Sequence, residues 1–350
     1  MRPLLARITE DPAAIKRFSL DDLEALCAEI RDEILHTVAV TGGHLASNLG
    51  VVELTVALHR TFSVPKDAII WDVGHQCYAH KLLTGRAPRF RTLRTAGGMS
   101  GYPDPDESPA DLFRTGHAGT AVSSATGLLM GRRARGDPGA VIAVIGDGSL
   151  TNGLTLEGMN YLGSIRQPLL VVLNDNTMSI SPTRGALSYY LTRLITAPVL
   201  NRPRCDFFDI LRRTPLGEEL ARIAADAEKK ARYLIVPGVF FEKLGLRYLG
   251  PMDGHDLRRM VEILGNLRDI REPVILHILT RKGRGYPPAE ENPAQFHGTS
   301  PFIPETGEPC PSAAPTAGCQ VGMLLEAAAA QRPDLVVLTA AMEKGLGLES

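Results

Sequence analysis

Two short triplets at the ends of apolar runs carry residue types that can hold a metal ion and a phosphate. Gly146-Asp147-Gly148 ends the run VIAVIGDG, and Asn174-Asp175-Asn176 ends the run PLLVVLNDN. The Asp147 carboxylate and the Asn176 amide oxygen, 29 residues apart in the chain, are oxygen ligands of the kind that Mg²⁺ takes. Gly146 and Gly148 have no side chain, so a diphosphate can approach the backbone closely. The pattern predicts a Mg²⁺ site shared with a phosphorylated ligand.

Buried strands and a helix are needed to position these triplets. Each apolar run is typical of a strand in a parallel sheet, and TNGLTLEGMNYLGSI between them has the length of one crossover helix. The carboxyl ends of neighbouring parallel strands lie at one edge of a sheet, where ligands of α/β folds bind. Strands alternate with helices along most of the chain, which predicts an α/β fold, a parallel sheet with helices on both faces.

Further segments fit this fold. Ser19 precedes an acidic first turn, which predicts a helix over 20–39, and AIIWDVGH is predicted to be a buried strand that ends at Gly74-His75. Residues 240–269 are predicted to form a strand, a loop and a helix, and PVILHILTRKG a last strand. We predict a domain over 1–298 with a mobile excursion at about 196–232. A proline-rich linker over 299–318 and an incomplete second α/β domain, a helix and a strand over 319–350, follow it.

Composition excludes several classes of protein. The chain has 350 residues, 44% of them hydrophobic and 22% charged, with a formal net charge of −1. That balance predicts neither nucleic acid nor membrane partners, and no apolar run approaches the 18 residues of a membrane span. The start of the chain lacks the apolar core of a signal peptide. The five cysteines form no CxxC pair, so a cytoplasmic setting is the simplest expectation.

The pair of triplets resembles the signature of thiamine-diphosphate enzymes. From about residue 16 to residue 350 the chain is similar to the 1-deoxy-D-xylulose-5-phosphate synthase family, which is related to transketolase. Several stretches carry this resemblance, and they are GGHLASNLGVVELT, WDVGHQCYAHKLLTGR, GGMSGYPDPDESPADLFRTGHA, GDGSLTNG, LNDNTMSISPTRGALSYYL, YLGPMDGHD, RKGRGYPPAEENPAQFHG and VVLTAAMEKGLGL.

The resemblance implies a transferase that uses thiamine diphosphate and Mg²⁺. Its substrates would be pyruvate and D-glyceraldehyde 3-phosphate, its products CO₂ and 1-deoxy-D-xylulose 5-phosphate for isoprenoid, thiamine and pyridoxal synthesis, and its assembly a homodimer. The implied metal ligands are Asp147, Asn176 and the backbone carbonyl of Met178. The implied catalytic residues are His44, His80 and His297. The implied cofactor-binding residues are His75, Gly116, His117, Ala118, Gly148, Ser149, Asn176, Lys282 and Tyr286.

The nine histidines divide by their local sequence. Five lie in loops or at the ends of elements, where functional residues concentrate, and these are His44, His75, His80, His117 and His297. Histidine titrates in the range that proton transfer at a carbonyl or an alkoxide requires. His36, His59 and His277 lie inside helix or strand patterns and are interpreted as surface or core groups. His255 is interpreted as a residue at a helix start, with the adjacent acidic residues as the caps.

The chain also departs from the family pattern. Ala118-Gly119 stands where the family usually has two serines, and Arg114 where it often has a small residue. No residue matches the glutamate that contacts the aminopyrimidine ring, since Glu343 and Glu349 come too early in the pattern. We therefore expect the N-terminal portion of a synthase that is inactive by itself. A subunit of a split transketolase-like enzyme and a catalytically silent cofactor-binding module are the alternatives.

Overall fold

A parallel five-stranded sheet forms the centre of the protein. The computed structural model describes residues 3–176, 238–311, 317–339 and 343–348. The strands are β1 (Ala68–Trp71), β2 (Val141–Gly146), β3 (Leu170–Asp175), β4 (Arg247–Asp253) and β5 (Val274–Leu279). All pairs are parallel, in the order β1-β2-β3-β5-β4. The predicted α/β class is confirmed.

Helices cover both faces of this sheet, as predicted. They are α1 (Pro3–Glu10), α2 (Leu20–Thr41), α3 (Leu45–Leu49), α4 (Val52–Thr61), α5 (Tyr78–Lys81), α6 (Ala121–Ala134), α7 (Asp147–Leu150), α8 (Gly153–Ile165), α9 (Gly238–Lys243), α10 (Leu257–Asn266), α11 (Pro287–Glu291), α12 (Ala317–Gln331) and α13 (Glu343–Leu346). Among the described residues, no helix is both long enough and apolar enough to cross a membrane.

Successive side chains of each strand pack on opposite faces of the sheet and form two separate hydrophobic cores. Ile142 and Val144 of β2 pack with α2, α4 and α10 on one face, whereas Ala143 and Ile145 pack with α6, α8 and α9 on the other. Successive side chains of a strand point to opposite faces, so a strand that is apolar throughout needs helices on both. The continuous apolar runs of the sequence are the consequence.

The start of α2 confirms one local prediction. The Ser19 hydroxyl accepts a hydrogen bond from the Asp22 backbone N–H, and the Asp22 carboxylate accepts one from the Ser19 backbone N–H. This capping box satisfies two N–H groups that a helix start otherwise leaves unpaired. It fixes the long helix that precedes the loop of His44.

Two predictions of local structure are wrong. Phe240 begins no strand, because it lies in helix α9, and the strand starts only at Arg247. The strand expected after α12 is also absent from the described residues up to Thr339, where Val336 and Leu338 are largely exposed. A strand is stabilised by pairing with a neighbour, and among the described residues the pairs of the sheet do not include this segment. The predicted excursion at 196–232 lies outside the described residues.

Residues 299–311 pack against the main body of the protein. Thr299 and Gly43 exchange two backbone hydrogen bonds, of 2.8 and 2.9 Å, and the Phe302 N–H donates to the Ala39 carbonyl. The Phe302 ring is 2% exposed and packs against Tyr286 and Phe296. Residues 299–311 of the predicted linker therefore close over the end of α2, and the domain boundaries remain a prediction.

Replacement of Phe302 by alanine tests this docking. Because the ring is buried in an aromatic cluster, Phe302→Ala should lower the free energy of unfolding by about 3–5 kcal/mol. The neighbouring Ile303 is 42% exposed, so Ile303→Ala should change it by less than about 0.5 kcal/mol. Urea unfolding of the two variants measures the difference. Equal effects would show that residues 299–311 do not dock as described.

Candidate active site

The register of the sheet places the two triplets side by side. Gly146 of β2 pairs with Asn174 of β3, and Asn174 pairs with Ile278 of β5. Asp147, at the start of α7, and Asn176, just after β3, therefore follow neighbouring strands at the same edge of the sheet. Open space lies beside Gly146, since an added Cβ there would meet no atom within 4 Å. A diphosphate can reach the backbone at this point.

The first two members of the second triplet contact protein groups below this edge. The Asn174 side chain is 1% exposed and accepts a 2.5 Å hydrogen bond from the Thr280 hydroxyl. The Asp175 carboxylate lies 3.1 Å from Nε2 of the buried His277, whose Nδ1 lies 2.7 Å from the Tyr248 hydroxyl. His277 is thus a core group, as predicted. These contacts join the ends of β3 and β5.

Three of the predicted histidines meet in one cluster. The ring centroids of His44 and His75 lie 5.3 Å apart, those of His75 and His297 5.3 Å, and those of His44 and His297 5.7 Å. We call these three side chains the imidazole cluster. Nδ1 of His44 and Nδ1 of His75 are buried atoms without a hydrogen-bond partner among the described residues. Because buried polar atoms are nearly always paired, these two indicate a ligand site.

Burial and mutual repulsion keep the imidazole cluster neutral. Burial lowers the pKa of His44 to about 3, with further lowering by His297 and Arg94. Burial also lowers the pKa of His297 to about 4, with the positive charge of Lys282 as the second cause. The pKa of His75 is held well below its ordinary value, first by burial and then by His44 and His297. A neutral imidazole carries one donor and one acceptor nitrogen, so the cluster can both give and take hydrogen bonds.

Lys282 connects the imidazole cluster to the edge of the sheet. Its side chain is 8% exposed, and burial lowers its pKa to about 8 although the carboxylate of Asp147 opposes that change. The same ammonium group lowers the pKa of His75 and His297. Lys282 therefore lies within electrostatic range of the predicted metal ligand and of the imidazoles.

The turn with Gly116, His117 and Ala118 is exposed and held by a buried carboxylate. Asp72, at the end of β1, accepts backbone hydrogen bonds from Gly119 N–H at 2.9 and 3.1 Å and from Ala121 N–H at 2.9 Å. The carboxylate lies at the amino end of α6, where a negative charge is stabilised. His117 is exposed, and within the part of the chain that the structure describes its side chain makes no ring contact or hydrogen bond with the imidazole cluster. Its assignment to the cofactor remains a prediction.

Gly119 explains one departure from the family pattern. Its φ is +90°, and an added Cβ would lie 2.5 Å from Cγ of Asn152, whose amide donates to the Ala118 carbonyl. A serine at 119 would be strained by both its backbone and its neighbour. The tight packing of this turn against Asn152 therefore favours glycine here.

His80, predicted to lie in a loop, lies in a helix and outside the imidazole cluster. It lies inside α5 and is 1% exposed. Its Nδ1 lies 2.9 Å from Nε2 of His59, and its Nε2 lies 3.1 Å from the Asp111 carboxylate, which also binds Arg86 at 2.6 Å. Both ring nitrogens thus have protein partners. These contacts give His80 a structural role, and they place His59 in the core, as predicted.

Other predicted site residues also lie outside the imidazole cluster. Tyr286 is 6% exposed, packs against Phe296 and Phe302, and donates its hydroxyl to the Pro304 carbonyl at 2.9 Å. Its contacts therefore support a role in packing. Gly148 and Ser149 lie in α7 beside Asp147, at the predicted position. Met178 lies outside the described residues. Within the described ranges, no three His, Cys, Asp or Glu side chains are grouped as a metal site.

Some residues that the sequence did not single out position the site through hydrogen bonds to its backbone. His255 lies at the start of α10, whose cap is the adjacent Asp256, as predicted. What the sequence did not indicate is that Nε2 of His255 accepts a hydrogen bond from Arg281 N–H at 2.8 Å, next to Lys282. Asn48 binds the backbone of two cluster histidines. Asn48 lies in the quoted stretch GGHLASNLG, and Asp72 in WDVGHQ, but only the fold brings their partners within reach.

A family model and longer relatives with similar sequences point to one and the same family. A family model described as 1-deoxy-D-xylulose-5-phosphate synthase matches residues 5–280. The protein of that name from Carboxydothermus hydrogenoformans is 46% identical over 349 residues, covering 99% of this chain and 56% of the relative. The one from Syntrophus aciditrophicus is 47% identical over 352 residues, covering 99% and 54%. The chain thus spans about half the length of the curated relatives it matches.

Solved structures show the same fold at low identity. Transketolase from Campylobacter jejuni superposes with a TM-score of 0.57 at 16% identity, covering 94% of this chain and 50% of that one. Transketolase from Leishmania mexicana superposes with a TM-score of 0.55 at 16% identity, covering 80% and 39%. These similarities support the α/β fold.

Substitution at Gly119 tests the account of the turn. Because of its positive φ and the contact with Asn152, Gly119→Ser should lower the free energy of unfolding by about 1–3 kcal/mol. Gly116 in the same turn has no positive φ, and an added Cβ there would meet no atom within 4 Å, so Gly116→Ser is the matched control and should be nearly neutral. Thermal unfolding compares them. A neutral Gly119→Ser would mean that the turn tolerates the family serine.

Proposed function

We propose that this chain, which belongs to the 1-deoxy-D-xylulose-5-phosphate synthase family, binds the diphosphate end of thiamine diphosphate together with Mg²⁺. The complete synthase would condense pyruvate with D-glyceraldehyde 3-phosphate and release CO₂ and 1-deoxy-D-xylulose 5-phosphate, as a homodimer. The chain would contribute the N-terminal part of that enzyme. The glutamate for the pyrimidine ring would come from a part that this sequence does not contain.

The imidazole cluster carries this proposal. Two buried nitrogens, Nδ1 of His44 and Nδ1 of His75, have no partner among the described residues, and both belong to rings that contact His297. Lys282 lies within electrostatic range of this cluster and of Asp147. A site with neutral imidazoles at one end and a carboxylate with a cation at the other suits a ligand that has a reactive end and an anionic end.

The residues at the edge of the sheet fit the anionic end. Asp147 and Asn176 would bind the metal, with the Met178 carbonyl as a third ligand, and Gly148 and Ser149 would lie along the diphosphate. Carboxylate, amide and carbonyl oxygens together with phosphate oxygens are the usual ligands of Mg²⁺. With a pKa of about 8, Lys282 is largely protonated at pH 7 and would balance the negative charge of the diphosphate.

The protein groups would orient reactants and move protons. When bound, thiamine diphosphate supplies the carbon nucleophile that the condensation requires. His44 and His297 would hold hydrogen bonds to the oxygens of the substrates, and His75 would contact the cofactor. A proton that shuttles between a carbonyl and an alkoxide needs a positioned donor and acceptor, and a neutral imidazole provides one of each. His80 has no part in this proposal, because both of its ring nitrogens are bonded to His59 and Asp111 within the core.

Calorimetry with thiamine diphosphate and Mg²⁺ tests the metal assignment. Asp147→Ala and Asn176→Ala should each remove Mg²⁺-dependent binding, because each removes one oxygen ligand. Asn160→Ala, at an exposed position on α8, is the matched control and should bind as the unmodified chain does. Circular dichroism would verify that all the variants are folded. Unchanged Mg²⁺-dependent affinity in both ligand variants would refute the metal site.

Release of CO₂ from pyruvate tests the whole function. Residues 1–350 alone should release little, because the pyrimidine end of the cofactor would face water. Co-expression with the C-terminal part of the Carboxydothermus hydrogenoformans relative should restore turnover. In that complemented enzyme His44→Ala should lower turnover on the order of 10²–10⁴-fold with little change in cofactor affinity. His80→Ala should act through stability instead, so that folded protein keeps much of its turnover.

The outcomes separate the alternatives. Robust activity of residues 1–350 alone would mean that a carboxylate within the chain replaces the missing glutamate. Cofactor binding without turnover in any complemented form would favour a silent binding module. Near-native turnover of the His44→Ala variant would leave the imidazole cluster without its proposed role.

A further inference from the structure

One short helix is bonded to every member of the imidazole cluster. His44 immediately precedes α3 (Leu45–Leu49), and the hydroxyl of Ser47 lies 3.2 Å from Nδ1 of His297. The Ala46 N–H donates to the Phe296 carbonyl at 2.9 Å, next to His297, and the Ala46 carbonyl accepts from Gly283 N–H at 2.8 Å, next to Lys282. Helix α3 thereby joins loops that lie far apart in the sequence.

Asn48 makes the contact between α3 and the third loop. Its side chain is fully buried, and its Nδ2 donates to the backbone carbonyls of His44 at 2.6 Å and of His75 at 2.7 Å. Its Oδ1 accepts from the Tyr78 N–H at 2.9 Å. Both N–H groups of the amide are therefore used, and both are bonded to the carbonyls of the two histidines whose Nδ1 atoms lack a partner.

The loop of His75 needs such an anchor. It follows β1 through Val73 and Gly74, which have φ values of 61° and 87°, a conformation that a β-branched residue rarely adopts. Strained backbone persists only where surrounding contacts hold it. The amide of Asn48 binds this loop two residues after the strained Val73. The Tyr78 hydroxyl adds a second link by accepting from His44 N–H at 3.2 Å.

We propose that Asn48 is a positioning residue: its side-chain amide sets the separation and orientation of the His44 and His75 imidazoles by binding the carbonyls of both. The rings themselves lack Nδ1 partners among the described residues, so their placement depends on the backbone from which they extend. The inference deepens the proposed function, since these are the rings that would contact the cofactor. Asn48 itself need not touch any ligand.

The charged groups that face the two rings come from several loops. Arg94 and His297 lower the pKa of His44, and Lys282, His44 and His297 lower that of His75, after burial as the main cause in both. Loss of the Asn48 bridge would let the loops separate and admit water. Burial and the repulsion from these positive groups would then both weaken. The pKa values of His44 and His75 would rise towards the ordinary value of about 6.5.

Histidine-selective NMR of residues 1–350 tests the proposal without any cofactor. In the unmodified chain His44 and His75 should stay neutral from pH 7 down to pH 5. In Asn48→Ser, which cannot reach both carbonyls, at least one of them should become protonated within that range. Asn48→Gln, which keeps the amide, should behave more like the unmodified chain. Assignment of the signals uses His44→Gln and His75→Gln.

A matched control separates positioning from general loss of stability. Thr55 is as deeply buried as Asn48, and its hydroxyl donates to the carbonyl of Val51, the residue before α4, at 2.7 Å. Thr55→Val removes a buried hydrogen bond and should leave both imidazoles neutral. If Asn48→Ser folds and its histidines titrate as in the unmodified chain, or if Thr55→Val shifts them equally, Asn48 is not a positioning residue.

Two further measurements complete the test. In the unmodified chain the side-chain amide protons of Asn48 should exchange slowly with solvent; rapid exchange would refute the proposal even if no variant folds. In the complemented enzyme Asn48→Ser should lower kcat by roughly 10- to 100-fold, as expected for misplaced groups, with a smaller change in KM. Because the NMR measurements need neither cofactor nor turnover, failure of the proposed function would leave them interpretable.

Discussion

The backbone hydrogen bonds of the parallel sheet determine where the anion-binding end of the candidate site lies. Because Gly146 pairs with Asn174 and Asn174 with Ile278, the segments after β2, β3 and β5 leave the sheet at one level. Asp147, Asn176 and Lys282 follow those three strands. A slip of one residue in this register would turn each apolar strand residue to the opposite face. The two packed cores exclude such a slip, so the cores also fix the site.

A second layer of contacts adapts this edge to an anionic ligand. Asp72 holds the exposed turn at Gly119, the Thr280 hydroxyl binds Asn174, and His255 binds the backbone at Arg281. None of these groups is required to touch a ligand. Each of them hydrogen-bonds to the backbone or to a neighbouring side chain. These bonds hold the predicted ligand residues at fixed positions.

The buried histidines show two uses of the same side chain. His80 has a partner for each ring nitrogen, His59 and Asp111, and therefore joins parts of the core. His44 and His75 are half-buried, and their Nδ1 atoms lack such partners among the described residues. Burial lowers the pKa in both groups, so the pKa does not distinguish them. The completeness of the hydrogen bonding does, because an unpaired buried nitrogen is costly unless a ligand binds it.

The sequence by itself determined the fold class, the edge of the sheet at Asp147 and Asn176, and the loops of His44, His75 and His297. Apolar runs, turn glycines and the spacing of the triplets are local patterns that a strand or a turn imposes on its own residues. Tertiary structure alone decided that His80 and Tyr286 lie in packed surroundings, that residues 299–311 dock through Phe302, and that Asn48 bridges His44 and His75. The partners in these contacts, such as Asp111 for His80 or Pro304 for Tyr286, are distant in the chain. A local pattern carries no information about which distant groups will complete the hydrogen bonds of a buried side chain, and it is that completion which separates a structural residue from a functional one.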